Sequence, residues 1–364
     1  MSLRGGVESL GAARVSIAMA TYNGERFIEE QLESLARQTH LPSELVICDD
    51  QSSDRTKQIV EAFGARAPFS VRFIRNPERL YFSSNFMKAA ELCTGDFIAF
   101  CDQDDIWDPR KIEVSLNALS QPDIVLCVHD ATMVDDQGNV LGVETRKVPK
   151  GVVPGLDPLM AFSGFTCTFP RELIELLPAD RRPMDVIETN RKLSHDRWVC
   201  YLASLVGSIA NLDEQLALYR QHTDNAAGWM RQKRGKAELL DSFRNKFGFY
   251  LQKRLRIITE FRKLSEEVSL TELHADIFSA ERLEIGRARL RRYEAIFEGR
   301  YGIAKAESRF ARFRQLARCW RDRVYDDPIS GETSRRSAVM DGIGALLARR
   351  GQAEIARRQL AHSV

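Results

Sequence analysis

Residues 95–107, with the sequence GDFIAFCDQDDIW, decide the fold of this chain. The run 97–101 is short, continuous and apolar, which predicts a central strand buried on both faces. Asp102, Asp104 and Asp105 follow at the point where that strand leaves the sheet. In open α/β sheets, ligands bind in the crevice outside the carboxyl ends of the strands. The stretch therefore predicts a pocket lined by carboxylates.

Carboxylates two residues apart can converge on a hard divalent cation. Mg²⁺ typically takes one or two protein carboxylates together with substrate phosphates. The alternative interpretation is an Asp-rich turn that caps a helix beginning near Pro109, since proline is a favourable first helical residue. The pattern in the rest of the chain favours the cation site.

The composition predicts a folded protein with a sizeable core. The 364 residues are 44% hydrophobic and 29% charged, enough for about two domains. No apolar run reaches the roughly 18 residues of a membrane span, and no basic region precedes an apolar signal core. The seven cysteines are scattered without metal-binding spacing, which predicts buried, reduced thiols. We expect a cytoplasmic protein, with peripheral contact at the inner membrane face left open.

The charge is distributed unevenly along the chain. Residues 231–364 carry 30 Lys and Arg against 18 Asp and Glu, which leaves 23 against 33 for residues 1–230. A shift of this kind signals a domain boundary. We predict one domain over residues 14–230 and a basic α-helical domain over residues 231–364.

Strands and helices alternate through the first hundred residues. Strands are predicted at 15–20, 44–48, 71–74 and 97–101, and a helix is predicted at 85–92 before the last of these strands. Alternation with short connections predicts an α/β fold with a mostly parallel sheet and right-handed crossovers. Each strand then delivers polar side chains to the same edge. These include Thr21, Asn23, Asp49, Asp50, Asn76, Asp102 and Asp104.

The loop after the first strand lacks a glycine-rich phosphate cradle. Neither GxGxxG nor GxxxxGK[ST] occurs there, which argues against a dinucleotide dehydrogenase or a P-loop nucleotidase. An acidic edge needs another way to hold a phosphorylated ligand. A metal ion that bridges carboxylate and diphosphate supplies it.

Six segments together carry a family resemblance. MATYNGERFIEEQL (19–32), VICDDQSSD (46–54) and FIAFCDQDDIWDPRKI (97–112) resemble the inverting nucleotide-sugar glycosyltransferases of family 2, which have the Rossmann-like GT-A fold. The rhamnosyltransferase-like branch, which acts on cell-surface polysaccharides, is the most similar. The later segments are SGFTCTFPREL (163–173), HDRWVCYLASLVG (195–207) and LALYRQHTDNAAG (216–228).

The resemblance implies a metal ion, Mg²⁺ or Mn²⁺, and a base. Asp104 would be the principal metal ligand, with Asp102 near the ribose and the metal, and His222 could complete the coordination. Asp196 would deprotonate the acceptor hydroxyl. The alternative for Asp196 is that it, or Ser194, only caps the helix predicted at 195–206, because both residue types are preferred caps.

The resemblance also implies contacts with the donor nucleotide. Asp50 would accept the N3–H of a pyrimidine, although Asp49 and Asp54 compete for that contact and Asp54 fits a helix cap. Thr21 and Asn23 would touch the base and the ribose.

Asn76 is a further donor-site candidate, with an ordinary turn role as its alternative. Asp102 would share the donor site with the metal.

The implied reaction transfers a single sugar from dTDP-rhamnose or a UDP-sugar to a hydroxyl of a cell-surface glycan or a lipid-linked acceptor. The QxxRW block of processive synthases is absent, which favours one transfer per encounter. The alternative within the same fold is a nucleotide-sugar-binding scaffold without turnover.

Residues 231–364 predict several helices with basic faces, for example over 243–264 and 282–297. Three interpretations remain open: an ordinary packing domain with a solvated charged face, contact with an anionic membrane surface, or a protein partner. Nucleic-acid binding is electrostatically allowed, but the acidic residues 1–230 and the absence of a recognised nucleic-acid-binding motif argue against it.

Overall fold

The computed structural model describes residues 12–185, 191–222, 236–275, 277–329 and 334–347. Its strands are β1 (Val15–Thr21), β2 (Glu44–Asp49), β3 (Ser70–Arg75), β4 (Phe97–Cys101), β5 (Ile106–Trp107), β6 (Ile124–Val134), β7 (Val140–Glu144), β8 (Gly151–Val153), β9 (Thr168–Pro170) and β10 (Ser208–Arg220). Its helices are α1 (Ile28–Ala36), α2 (Thr56–Gly64), α3 (Tyr81–Glu91), α4 (Lys111–Leu119), α5 (Glu172–Glu175), α6 (His195–Val206), α7 (Lys236–Glu267), α8 (Glu272–Ala275), α9 (Ala280–Lys305), α10 (Arg309–Arg321) and α11 (Arg335–Leu347).

The first four strands form the parallel part of one sheet, in the order β3-β2-β1-β4. Ala18 in β1 pairs with Val46 of β2 on one side and with Phe100 of β4 on the other. β2 and β4 are buried along their whole length, as expected of strands covered on both faces. The predicted α/β class and the strands at 15–20, 44–48, 71–74 and 97–101 are confirmed.

The other half of the sheet continues as β9-β6-β10-β5, with β7 beside β6 and β8 beside β10. β10 runs parallel to β6, whereas β5, β7, β8 and β9 pair antiparallel to their neighbours. The two-residue strand β5 pairs Trp107 with Ala217 of β10. This pairing brings the end of the acidic loop beside the end of β10.

Helices cover both faces of the sheet. Side chains of β1 alternate, so that Ile17 and Met19 join one apolar cluster and Ala18 joins the other. The first cluster contains residues of α1, α2 and α4. The second contains residues of α3 and α6 and continues into α7, α9, α10 and α11.

The helices after residue 236 pack directly on α6. Tyr201 of α6 stacks on Phe261 of α7 with ring centroids 4.2 Å apart, and its hydroxyl donates to the Phe261 carbonyl at 2.9 Å. The predicted boundary at residue 230 lies among residues 223–235, outside the described residues. The division into two domains therefore stays a prediction, although the helical prediction for the C-terminal part is confirmed.

Helix α3 begins at Tyr81, four residues before the predicted start at Asn85. The Asp50 carboxylate accepts hydrogen bonds from the backbone N–H groups of Leu80 and Tyr81, at 2.6 and 2.9 Å. These donors open the helix and have no intrahelical partner, so a residue thirty positions earlier stabilises the first turn.

No helix among the described residues is both long enough and apolar enough to cross a membrane.

Candidate active site

Three carboxylates gather at the carboxyl edge of β4. Asp102, Asp104 and Asp105 each offer an oxygen within 4.8 Å of the others. Asp105 is fully buried, and its Oδ1 accepts a hydrogen bond from the backbone N–H of Arg220 at 3.2 Å. Asp102 and Asp104 are half-buried. We call these three residues the acidic group.

The ionised form of the carboxylates is disfavoured in the acidic group. Burial, and then the neighbouring Asp104 charge, raise the pKa of Asp102 to about 7. Burial followed by the charges of Asp104 and Asp102 also raises the pKa of Asp105. A cation at this place would relieve the repulsion and favour the ionised carboxylates.

A buried lysine lies behind the acidic group. Lys111 of α4 donates from Nζ to the Phe165 carbonyl at 2.5 Å and lies 3.5 Å from the centre of the Trp107 ring. Burial lowers the pKa of Lys111 to about 8, and its charge opposes the rise at Asp102. The sequence analysis missed Lys111, because a lysine in an amphipathic helix carries no signal of burial.

The end of β10 brings a histidine to the acidic group. His222 Nε2 lies 2.8 Å from Asp104 Oδ2, and its ring centroid lies 4.9 Å from that of Phe27. Arg220 packs over the same Phe27 ring at 4.6 Å and pairs with Glu30 at 2.6 Å. The structure therefore brings together all three residues predicted to bind metal.

The donor set fits a divalent cation. Carboxylate oxygens suit Mg²⁺ and Mn²⁺, and an imidazole nitrogen is accepted by Mn²⁺. In the part of the chain that the structure describes, the buried Asp105 Oδ2 has no hydrogen-bond partner. An uncompensated buried oxygen of this kind is costly, which supports a ligand in the vicinity.

The acidic loop is latched to the loop after β1. Gln103 accepts from the Tyr22 N–H at 3.0 Å and donates to the Tyr22 carbonyl at 3.1 Å. A Cβ at Gly24 would come within 2.5 Å of Gln103 Oε1, so a larger residue there would disturb the hydrogen bonds between Gln103 and Tyr22. Asn23, in the left-handed region with φ of 49°, accepts from the Ser53 N–H at 2.9 Å.

The other predicted donor-site residues are engaged inside the protein. Thr21 donates to Asp49 Oδ1 at 3.0 Å and is buried. Asn76 is also buried and donates to Asp50 Oδ1 at 3.1 Å. Asp50 additionally caps the start of α3, as described above. These residues line up along one edge, and their contacts with a nucleotide stay predictions.

Arg79 was missed by the sequence analysis. Its guanidinium carbon lies 3.8 Å from the Tyr22 ring centre and 5.3 Å from that of Tyr81, and its Nε lies 3.7 Å from Asp50 Oδ2. Tyr81 is half-exposed and has a φ of 60°, a strained conformation for an aromatic residue. Strain of this kind is concentrated at functional sites. Arg79 therefore places a cation beside Tyr22, whose backbone is hydrogen-bonded to Gln103 of the acidic loop.

Asp196 opens helix α6, which has the predicted bounds. Among the described residues, its hydrogen bonds from Arg197 N–H (2.7 Å) and from the Ser194 hydroxyl both end on Oδ1. Its charge is among those that raise the pKa of Asp102. Ser194 is the helix cap by position, but its side chain makes no capping hydrogen bond.

His195 turns away from this region into an aromatic cage. Its ring stacks on Phe86 at 4.1 Å and meets the edge of Phe100 at 4.9 Å. Neither ring nitrogen has a hydrogen-bond partner among the described residues, and burial lowers the pKa of His195 to about 4. The histidine is therefore neutral and part of the packing.

Part of this chain is similar to known glycosyltransferases. Residues 16–175 match the model described as glycosyl transferase family 2. An uncharacterized glycosyltransferase of Nostoc sp. is 26% identical over 58% of this chain and 66% of its own length. The dTDP-rhamnosyl transferase RfbG of Shigella flexneri is 38% identical over 28% of this chain and 36% of its own.

A third relative is the Escherichia coli protein named UDP-Glc:alpha-D-GlcNAc-diphosphoundecaprenol beta-1,3-glucosyltransferase WfgD. It is 33% identical over 30% of this chain and 42% of its own length. The chain thus spans less than two thirds of the length of each of these three relatives.

Proposed function

We propose that this chain, whose residues 16–175 match the glycosyl transferase family 2 model, moves one sugar from a nucleoside-diphosphate donor to an acceptor hydroxyl, with inversion at the anomeric carbon. The observation that carries the proposal is the contact of His222 with Asp104 of the acidic group at the carboxyl edge of β4, where the charge of Asp196 also acts on Asp102. The proposed donors are dTDP-rhamnose and UDP-sugars, in line with the names of two relatives.

The proposed metal ligands are Asp104, Asp102 and His222. A bound Mg²⁺ or Mn²⁺ would offset the charge of the departing diphosphate. Lys111 holds positive charge behind the carboxylates, and Arg79 offers a second cation beside Tyr22. Both arrangements favour an anionic ligand over the acidic group.

Asp196 is the proposed base. The acceptor oxygen attacks the anomeric carbon, the bond from that carbon to the diphosphate oxygen breaks, and the electron pair leaves with the diphosphate. The acceptor proton passes to Asp196. Because Oδ1 accepts the hydrogen bonds from Arg197 and Ser194, Oδ2 is the oxygen proposed to take the proton.

The proposed donor-nucleotide residues are Thr21, Asn23, Asp50 and Asn76, together with Asp102. Thr21, Asp50 and Asn76 are buried. Thr21 donates a hydrogen bond to Asp49, the neighbour of Asp50, and Asn76 donates one to Asp50. Their proposed role is to form a rigid surface whose side-chain oxygens accept hydrogen bonds from the nucleotide.

The proposed acceptor is a hydroxyl of a cell-surface glycan or of a lipid-linked sugar. One relative is named for a diphosphoundecaprenol-linked acceptor, which supports the second kind. The activity would then belong to polysaccharide biosynthesis at the cytoplasmic face of the inner membrane, with peripheral contact through the basic helices.

The first test is calorimetric titration of the full chain with dTDP, UDP and GDP, each with and without Mn²⁺. We expect one pyrimidine diphosphate to bind, and to bind more tightly with the metal. If no diphosphate binds under either condition, the proposal fails.

Variants separate the roles at the site. Asp104→Asn should abolish the effect of metal on nucleotide binding, whereas Asp196→Asn should keep nucleotide binding and reduce transfer by about 10²-fold or more. Asp96→Asn is the matched control, since Asp96 pairs with Arg14 just before the amino end of the same β4 strand. Nucleotide binding without transfer from any tested donor in the wild type would favour the scaffold alternative.

A further inference from the structure

Helix α10 turns large aromatic side chains to the solvent. Phe310 is 78% exposed, Trp320 is 50% exposed and Phe313 is 43% exposed. With spacings of three and seven residues, the three side chains lie on one side of the helix, and the exposed Ala317 lies between them. We call Phe310, Phe313 and Trp320 the aromatic face.

The helix is fixed in this orientation. Its opposite side is buried at Arg312 and Cys319, and the Ser308 hydroxyl caps its start by accepting from the Ala311 N–H at 3.1 Å. The Trp320 ring leans on Tyr325 with centroids 5.3 Å apart. The aromatic face therefore points outward because the other face is already packed.

Arginines border the aromatic face. The sequence of α10, RFARFRQLARCWR, contains five arginines and no acidic residue. Arg309, Arg314 and Arg318 are exposed, and none of them forms an ion pair within the described ranges. Arg321 is also exposed and pairs with Asp322.

The basic residues of α9 behave differently. Arg282 pairs with Asp123 at 3.0 Å, and Arg300 pairs with the fully buried Asp341 at 2.8 Å. Arg289 donates to the Ser204 carbonyl at 3.1 Å. The basic stretch at 282–297, which the sequence analysis singled out, thus includes residues that hold the helices together. Of these two helices, α10 is therefore the one whose exposed arginines include several without an ion pair among the described residues.

We propose that α10 is a docking helix for an anionic lipid bilayer surface. Phe310, Phe313 and Trp320 would enter the headgroup region, where aromatic rings are favoured. Arg309, Arg314 and Arg318 would meet the lipid phosphates. Amphipathic helices with arginine beside tryptophan and phenylalanine bind membranes in this way, and their affinity combines apolar burial with charge attraction.

This inference deepens the proposed function and rests on it in one respect. If the acceptor is lipid-linked, docking would bring the proposed active site to the membrane surface where such acceptors lie. The binding itself needs neither donor nor acceptor, so it is measured without them.

The experiment is co-sedimentation of the full chain with vesicles. One set contains phosphatidylcholine alone, and the other contains phosphatidylcholine mixed with phosphatidylglycerol. We expect binding to the anionic vesicles only, with affinity that falls as salt is raised. Phe310→Ser with Phe313→Ser, and separately Arg314→Glu with Arg318→Glu, should each weaken binding by about tenfold or more.

Matched controls come from the catalytic half of the chain. Val140→Ser removes a side chain that is 71% exposed on β7, and Arg55→Glu with Arg66→Glu reverses two exposed charges. These controls should bind vesicles like the wild type. Every variant should also keep the nucleotide-binding isotherm of the wild type, which shows that the fold is intact and separates this test from that of the proposed function.

Several outcomes would overturn the inference. These are absence of vesicle binding, equal binding to neutral vesicles, or binding that the α10 variants leave unchanged. So would a wild-type dimer, seen by sedimentation velocity, that the Phe310→Ser and Phe313→Ser pair dissolves, because a second copy would then cover the aromatic face. Binding of duplex DNA or RNA that the arginine variants abolish, without vesicle binding, would assign α10 to nucleic acid instead.

Discussion

Individual residues of the acidic group lie where their negative charge is disfavoured. Asp105 is buried and Asp102 is half-buried, the two lie close together, and the charged form of each is disfavoured. Functional sites commonly accept such a cost because the ligand later removes it. Replacement of one carboxylate should therefore stabilise the ligand-free protein and weaken its ligand binding.

Asp102→Asn tests this trade. The ordinary pKa of 3.8 is raised to about 7 in the fold. The contribution of Asp102 to the free energy of unfolding is thus complete below pH ~4 and is lost as the pH rises through about 7. In the presence of a chelator at about pH 8, the melting temperature of the variant should exceed that of the wild type. The expected shift is roughly 2–4 °C for each kcal/mol gained in the free energy of unfolding. This gain should shrink as the pH is lowered towards about 5.

The control for Asp102→Asn is Asp96→Asn, whose parent carboxylate lies outside the acidic group. Thermal unfolding of both variants across pH gives the comparison. A gain for Asp102→Asn that does not change with pH would contradict the explanation by charge.

His195→Leu tests whether the histidine before the proposed base takes part in chemistry. Burial lowers the pKa of His195 to about 4, below its ordinary 6.5, so the protein gains stability as the pH rises through this interval. Two unpartnered ring nitrogens cost stability, so leucine should leave the free energy of unfolding within about 1 kcal/mol of the wild type or raise it. Sugar transfer by the folded variant should persist. Loss of transfer with intact nucleotide binding would give His195 a direct part in the reaction.

At the scale of elements, the contact between α6 and α9 depends on one glycine. A Cβ on Gly286 would lie 2.2 Å from the Leu205 carbonyl oxygen, far inside van der Waals contact. The two helices approach this closely because Gly286 has no side chain. The position is consequently decisive for how the C-terminal helices meet the sheet domain.

Gly286→Ala should lower the free energy of unfolding by about 1–3 kcal/mol, since the helices must move apart. Gly342→Ala in α11 is the matched control, because the nearest atom to its Cβ would be 4.0 Å away, on Leu316. Alanine there should stabilise the helix by up to about 1 kcal/mol. Urea unfolding measures both, and equal effects of the two substitutions would refute the close-approach argument.

At the scale of the whole molecule, the sheet and the C-terminal helices share one apolar cluster. Residues of β4 and α6 belong to the same cluster as residues of α7 and α9, and Phe261 is only 1% exposed. A core shared in this way favours a single cooperative unfolding transition.

A chain that ends at residue 230 tests this coupling against the predicted division into two domains. This shorter chain lacks α7 and α9, which cover Tyr201 and Leu205 in the full chain. Because both residues would then be exposed, we expect aggregation or a clearly lower melting temperature than that of the full chain. Circular dichroism and size-exclusion chromatography give the readout. A monomeric fragment with wild-type nucleotide binding would instead establish residues 14–230 as an independent domain.

The sequence by itself determined the parallel strands, helix α6 with its bounds, and the family to which the first half is related. These features are local, since a continuous apolar run or a helical period needs no distant partner to be seen. The proximity of Asp102 and Asp104 is also local, because both follow one strand.

Only the tertiary structure decided which contacts form between segments that are far apart in the sequence. The pairing of β5 with β10 carries His222 to Asp104, and packing of α4 buries Lys111 behind them. Asp50 moves the start of α3 from the position that the local pattern predicts. Each of these depends on a contact across tens of residues, whose formation rests on burial and hydrogen bonding that no local pattern records.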